Sequence, residues 1–304
     1  MSTPELSVVV VAWRSRADAL ELVEDFPDDP RFELVIVDNS GELANGVPER
    51  RSLRLVGSGA NLGFAGGSNA GAAAASAPLL LFLNPDARPA PGALEALLEG
   101  FRRHPGVAGI APRLVSPDGS PQARWQLKPL PTAASLLAHA FFWNPTRGPR
   151  REPPAGARVE QPAAAALALR RAAFEGLGGF DAGFHPAWFE DVDLARRLAA
   201  RGERIVYLPA ATFLHRGGGS VPALGYGGFL AAYDRNLARY LRLHHGRAWE
   251  LAFRALVPVG ALLRAVLLPL RRPRRARSRR EAAAALLHVA RRAWRGWPAE
   301  DARA

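Results

Sequence analysis

Short apolar runs alternate with amphipathic stretches through the first third of the chain. Residues 6–12, 33–37, 53–56, 79–83 and 107–110 are rich in Val, Ile and Leu, as in strands buried on both faces. Residues 17–25, 63–77 and 91–103 between them have helical composition, and Pro91 suits a helix start. Alternating strands and helices predict an α/β fold with a mainly parallel central sheet flanked by helices. Further on, residues 159–170 and 204–208 read as strands, and 191–201 and 229–244 as helices. Residues 114–157 break the rhythm. They are rich in Pro, Gly and Arg around an apolar island at 136–143. That predicts a poorly structured insertion, either a binding loop or lid or a plain surface excursion.

The pattern changes again after residue 245, which divides the chain into a globular part, 1–245, and a basic helical tail, 246–304. Residues 249–270 are apolar but interrupted by Arg254, Pro258, Arg264 and Pro269. The uncharged run 255–263 is too short to span a bilayer, which needs about 20 residues. Residues 271–280 then carry seven arginines. Residues 281–297 place Leu286, Ala290, Ala293, Trp294 and Trp297 on one helical face, opposite Arg291, Arg292 and Arg295. A basic amphipathic helix with tryptophans suits an anionic membrane surface. Packing on the globular part or on a second subunit, and nucleic-acid binding, are the alternatives. The tryptophans and the apolar stretch favour the membrane over nucleic acid.

Composition narrows the picture. The 304 residues are 48% hydrophobic, enough for a substantial core. There is no cysteine, which excludes disulfides, cysteine zinc sites and thiol catalysis, and fits a cytoplasmic protein. Of the net charge of +12, most lies in residues 246–304, which hold 14 arginines and 4 acids. Residues 1–5 lack the positive flank of a secretory signal.

Polar clusters stand at strand ends and helix starts, where open α/β sheets bind ligands. Asp38 follows the second strand; it either accepts an N–H from a nucleotide base or caps the turn Asn39-Ser40-Gly41. The glycine-rich segment from Asn61 through Gly63, Gly66, Gly67 and Asn69 enters a helix, suited to phosphate or to close helix–sheet packing. It is not the dinucleotide fingerprint, because Leu62 stands where Gly57-Ser58-Gly59 would need a third glycine, and it lacks the Gly-Lys-Ser/Thr of a P-loop. Asn84-Pro85-Asp86 ends the fourth strand, where a carboxylate can hold a divalent cation against phosphate oxygens. Glu190, Asp191 and Asp193 open a helix, as a base or simply as caps and dipole partners. His215, in a loop past the strand at 204–208, can complete a metal site begun by Asp86 or be an ordinary histidine.

In this order and on this pattern, Asp38, the segment from Asn61, Asn84-Pro85-Asp86, Glu190-Asp191 and His215 resemble the inverting family 2 glycosyltransferases of GT-A fold. The closest likeness is to the rhamnosyltransferase-like branch that builds bacterial cell-surface polysaccharide. The resemblance runs over residues 6–246. It is densest from Gly178-Gly179-Phe180-Asp181 through Glu190-Asp191-Val192-Asp193-Leu194 to Leu208-Pro209 and His215. It implies transfer of a sugar such as rhamnose, with inversion, from a nucleotide-diphosphate donor to a hydroxyl of a glycan or lipid-linked glycan.

The same resemblance implies roles. Asp191 is the general base, and Glu190 beside it helps to place the acceptor. Trp13, Asp38, Asn61, Gly63, Gly67, Asn69 and Asn84 face the donor, and Asp86 and His215 hold Mg²⁺ or Mn²⁺ on its diphosphate. There are two departures. Asn84 replaces the first acid of the family's Asp-x-Asp and removes one charge; Ala12-Trp13-Arg14 replaces Thr-Tyr-Asn, though Trp13 can still stack on a base. Two other classes stay open: a sugar nucleotidyltransferase, which would need an early Gly-rich loop with Arg and Lys, and a non-catalytic glycan- or membrane-binding relative, against which Glu190 and Asp191 speak. The implied setting is cytoplasmic, peripheral on the inner face of the cell membrane, with no nucleic-acid partner.

Overall fold

The computed structural model describes residues 3–43, 46–48, 50, 52–141, 146–217, 221–268, 273 and 276–297. The chain forms two compact units. One comprises Met1–Leu130, Arg147–Ala182 and Glu190–Gly219; the other comprises Pro131–Thr146, Gly183–Phe189 and Ser220–Ala304.

In the first unit, β1 (Leu6–Ala12), β2 (Phe32–Asp38), β3 (Leu53–Gly57) and β4 (Leu79–Leu83) run parallel in the order β3-β2-β1-β4. Beyond β4 the sheet is mixed. β10 (Ala166–Arg170) lies antiparallel between β4 and β6 (Gly109–Val115). β11 (Ile205–His215) runs parallel to β6, while β5 (Ala87–Pro89) and β8 (Arg158–Val159) pair antiparallel with β11. β7 (Leu127–Lys128) and β9 (Gln161–Pro162) form a separate ladder.

Residues of β1 point alternately to the two faces of the sheet, as strand geometry requires. Val8 and Val10 join Leu34, Ile36 and Leu81 beneath α1 (Arg16–Asp25) and α3 (Ala93–Arg103). Val9 joins Val35, Leu80 and Phe82 beneath α2 (Gly63–Ala74), α6 (Arg171–Gly176) and α7 (Glu190–Ala200). Helix α2 lies so close to the sheet that a Cβ on Gly71 would be 2.4 Å from Val9 Cγ1, and one on Gly67 would be 2.7 Å from Val11 Cγ1.

The insertion at 114–157 is structured where it is described. Helix α4 (Ala123–Gln126) is pinned to β6 by the buried Gln126, whose Nε2 donates to Pro112 O at 2.6 Å while Oε1 accepts from Leu114 N at 3.3 Å. Helix α5 (Ala133–Ala138) belongs to the second unit.

In that second unit α8 (Val221–His244), kinked at Gly225, packs with α9 (Arg247–Leu267) and α10 (Arg279–Arg295). The helical unit thus takes in α8 as well as the tail. Local chemistry delimits α10: Ser278 Oγ accepts the Glu281 N–H at 3.0 Å, and Gly296 ends the helix at φ 82°. The face expected to meet a membrane is largely spent on packing. Leu286 and Ala293 are buried, whereas Trp294 is 80% exposed. Residues 142 and 143 of the apolar island, Gly218, Gly219 and Ser220, and four arginines of the 271–280 run lie outside the described residues. Among the described residues no helix is long and apolar enough to cross a membrane.

Candidate active site

Two clusters meet at the carboxyl end of β4. The first begins where β4 stops and the chain turns, the Ala87 N–H donating to Asn84 O at 3.0 Å. β11 runs antiparallel to β5 with His215 opposite Ala87, which sets the imidazole beside Asp86. His215 therefore closes a strand and does not sit in a loop. The strand does not end near residue 208; its register with β6 shifts between Leu208 and Thr212, and pairing then resumes.

His215 Nε2 lies 3.5 Å from Asp86 Oδ1 and 3.4 Å from Asn84 Nδ2. Its Nδ1 is 2.9 Å from Gln122 Oε1, while Gln122 Nε2 donates to His215 O at 2.9 Å and to Ser116 Oγ at 3.1 Å. Those two donations assign the amide orientation, so Nδ1 carries a proton. Trp125 stacks on the ring at 5.4 Å. Burial raises the Asp86 carboxyl, but its contacts with His215 and with backbone N–H groups, Gly217 among them, hold it below its ordinary value. Asp86 Oδ1 and His215 Nε2 thus stand side by side, a carboxylate and an imidazole nitrogen of the kinds that can ligate a divalent cation. No group of three or more His, Cys, Asp or Glu able to hold a metal occurs among the described residues. Phosphate oxygens and water would complete the coordination.

The second cluster reaches the same place through β10. Because β10 runs antiparallel to β4, its entry crosses the sheet end where β4 leaves. Ala165 O accepts the Asn84 N–H at 2.9 Å, and the Ala164 N–H donates to Asp191 Oδ2 at 3.2 Å. Two adjacent alanines thus join motifs a hundred residues apart in the chain. Asp191 Oδ1 accepts its neighbour's N–H, from Val192, at 2.8 Å.

Asp191 keeps part of its surface open, yet the protein around it desolvates the carboxyl and raises it; the Ala164 N–H and the Lys128 ammonium pull it back only partly. Glu190 is buried, and its Oε2 has no hydrogen-bond partner. Burial first, then repulsion from Asp191 and Asp193, pushes its carboxyl well above the ordinary value. Asp193 is engaged otherwise: Arg197 pairs with it at 2.7 Å and also donates to Leu177 O and Gly179 O, tying α7 to the glycine turn.

The residues expected on the donor side divide. Trp13 follows β1 directly and Asp38 ends the neighbouring β2. Asp38 caps its turn: Oδ1 accepts from Ser40 N and Gly41 N at 3.1 and 2.8 Å, and Oδ2 from Leu43 N at 2.8 Å. Asn61 Oδ1 accepts the Gly63 N–H at 3.0 Å at the start of α2. Gly67 and Asn69 both make contacts within the fold. Gly67 faces Val11 and allows close helix–sheet packing. Asn69 spends its amide on Phe180, donating to its O at 2.8 Å and accepting its N–H at 2.9 Å.

Three residues of this site go unnoticed in a reading of motifs. Gln122 and Trp125 orient His215 from within the insertion and carry no sequence signal. Lys128 does carry one, being the single lysine among 40 basic residues.

A family model described as "Glycosyl transferase family 2" matches residues 7–178. The N-acetylglucosaminyl-diphospho-decaprenol L-rhamnosyltransferase of Mycobacterium tuberculosis is 32% identical over 250 residues, 75% of this chain and 80% of that protein. The O-antigen biosynthesis protein RfbC of Myxococcus xanthus is 29% identical over 251 residues, covering 76% of this chain and 19% of that one. Among solved structures, the mannosyltransferase PcManGT from Pyrobaculum calidifontis, in complex with GDP-Man and Mn²⁺, superposes with a TM-score of 0.53 at 16% identity. That match covers 97% of this chain and 88% of that one, a likeness of fold.

Proposed function

The chain belongs to glycosyl transferase family 2, on its rhamnosyltransferase-like branch, and we propose that it transfers a sugar with inversion from a nucleotide-diphosphate donor to a lipid-linked glycan in cell-surface polysaccharide synthesis. The observation that carries the reading is the bridge Asn84–Ala165–Ala164–Asp191, which brings the Asn84-Pro85-Asp86 turn and the Asp191 carboxylate to one end of the sheet.

Asp191, its carboxyl raised by burial and partly exposed, accepts the proton of the acceptor hydroxyl. The hydroxyl oxygen bonds to the anomeric carbon as the bond from that carbon to the donor's β-phosphate oxygen breaks. The nucleoside diphosphate leaves from the opposite side, so a single displacement inverts the centre. Glu190, whose carboxyl burial pushes well above its ordinary value, can donate a hydrogen bond to the acceptor when it carries a proton. Trp13, Asp38, Asn61, Gly63 and Asn84 face the nucleotide and its phosphates; the remaining lone pair on Asp38 Oδ2 suits a base N–H. Asp86 and His215 would hold Mg²⁺ or Mn²⁺, which when bound offsets charge on the departing diphosphate.

The decaprenol-linked acceptor named for the mycobacterial relative fits a chain at a membrane surface. The basic tail supports such a partner, an anionic membrane on the cytoplasmic face. The test is transfer from a panel of nucleotide sugars to a polyprenyl-diphosphate-linked N-acetylglucosamine, with the product anomer read by NMR. Inverted product supports the reading; retention of configuration, or no transfer and no donor hydrolysis with any donor, overturns it.

A further inference from the structure

Helix α9 is sorted by side. Phe253, Val257, Gly260 and Ala261 are buried, and a Cβ on Gly260 would come within 1.9 Å of Ala140 O. The two arginines that interrupt its apolar sequence are both engaged within the helical unit. Arg254 donates to Ala293 O at 3.1 Å, at the carboxyl end of α10. Arg264 donates to the Tyr226 hydroxyl at 3.1 Å, and burial lowers its pKa to about 10.

What α9 leaves outward is uncharged: Leu251, Ala255, Val259, Leu262, Val266 and their neighbours, at spacings of three and four. Leu262 is 65% exposed and Val266 68%. At 1.5 Å per residue this face runs for roughly 24 Å, far beyond a scattered surface leucine. Exposed Arg247 stands at one end of α9, and α10 presents Trp294 between exposed Arg291 and Arg295.

We infer that the outward face of α9 is the surface that lies in an anionic lipid layer, its side chains at the acyl boundary and the surrounding arginines on headgroup phosphates. The inference rests on the tail's partner being a membrane, and it moves the inserted area from α10 to α9. Charge decides between this occupant and a second copy of the chain. With 14 arginines against 4 acids in residues 246–304, two tails face to face would repel, whereas anionic lipid complements them.

The test is flotation of the full chain with phosphatidylcholine vesicles, with and without phosphatidylglycerol. The wild-type chain binds anionic vesicles and keeps part of that binding at 1 M salt, where the Debye length is about 3 Å and only apolar insertion survives. Leu262→Glu with Val266→Glu, at exposed positions that leave melting unchanged, lowers the bound fraction about tenfold or more. The chain has no cysteine, so Leu263→Cys can carry an environment-sensitive fluorophore. Its emission shifts to the blue on anionic vesicles, while the same label at Arg103→Cys does not shift. If the double variant floats as well as wild type, with no shift at 263, the α9 face is wrong and the membrane reading of the tail survives. If wild type does not float, both fall. If a lipid-independent dimer is broken by the double variant, the face belongs to a second copy and the inference is overturned. Flotation needs no donor, so none of these outcomes bears on glycosyl transfer.

Discussion

Asp191 Oδ2 accepts the backbone N–H of Ala164 at 3.2 Å. The carboxylate is thereby aimed by main chain and not by a mobile side chain, and it retains lone pairs to accept a proton. Because Ala165 receives the Asn84 N–H, any shift of the β10 entry moves Asp191 and the Asn84-Pro85-Asp86 turn together.

Asp191→Asn keeps the shape and removes the base. Turnover falls by at least ~10²-fold, while donor affinity in the absence of acceptor changes little. Single-turnover transfer together with donor titration by calorimetry separates the two. A folded variant with near-normal turnover would hand the base role to Glu190.

Lys128 acts on the pH profile. Burial depresses its own pKa, and its ammonium lowers that of Asp191. In Lys128→Met that support is gone, so the Asp191 carboxyl rises further and the acid limb of kcat/KM moves to higher pH. Activity falls most on the acid side and recovers on the basic side. A limb that stays where it was in wild type shows that Lys128 has another role.

Glu190 sets a stability window. Its folded pKa lies well above the ordinary 4.5, so just above that value the native state holds a proton that the unfolded chain has lost. Native stability is therefore greatest below that point and declines as pH rises through the folded pKa. Glu190→Gln lacks this dependence and removes a buried charge. Its melting temperature should exceed that of wild type by about 2–4 °C or more at mildly basic pH, with the gap closing in acid. Calorimetric scans across pH check the sign; a gap that widens in acid refutes the assignment.

The parallel half of the sheet was legible because strands buried on both faces are written as apolar runs, Leu79–Leu83 most plainly. The placement of the motif residues at its carboxyl edge was legible for the same reason, since they follow the apolar runs directly. Position along the chain could not say which polar atoms were already spent. Asn69 and Gly67 sit in a segment that reads like a phosphate cradle, yet one holds Phe180 and the other packs on Val11. In the tail, Arg254 and Arg264 break the apolar run in sequence while the helix turns both toward partners. The insertion misled because Gln122 and Gln126 work through contacts far from them in sequence.

Gln122 is predicted to govern cation affinity through His215. Removing its amide in Gln122→Leu frees the ring from the 2.9 Å contact at Nδ1 and unfixes the tautomer. Binding of Mn²⁺ in the presence of nucleoside diphosphate, read from the free-ion signal in electron paramagnetic resonance, weakens about 10–100-fold, the usual effect of losing such a partner. Gln122→Glu keeps an acceptor for Nδ1 and restores most of the affinity. Equal Mn²⁺ binding by Gln122→Leu and wild type would remove His215 from the cation site.

Asn236 holds the segment that leads into Glu190. It is fully buried on α8, and its Nδ2 is shared among Ala187 O at 2.8 Å, Trp188 O at 3.1 Å and His185 O at 3.3 Å. Trp188 and Phe189 adopt φ of 76° and 75°, a left-handed conformation that bulky residues rarely take and that the surrounding structure must enforce. Their rings are packed on α8 too, Trp188 on Phe229 at 5.0 Å and Phe189 on Tyr233 at 5.2 Å. Asn236→Leu preserves the volume but leaves the three carbonyls without their donor, a cost of about 1–3 kcal/mol. The strained pair then relaxes toward ordinary backbone angles. Hydrogen exchange in residues 183–189 should quicken while β1 and β4 stay protected. A uniform rise in exchange across both units would instead mark Asn236 as a general stability residue.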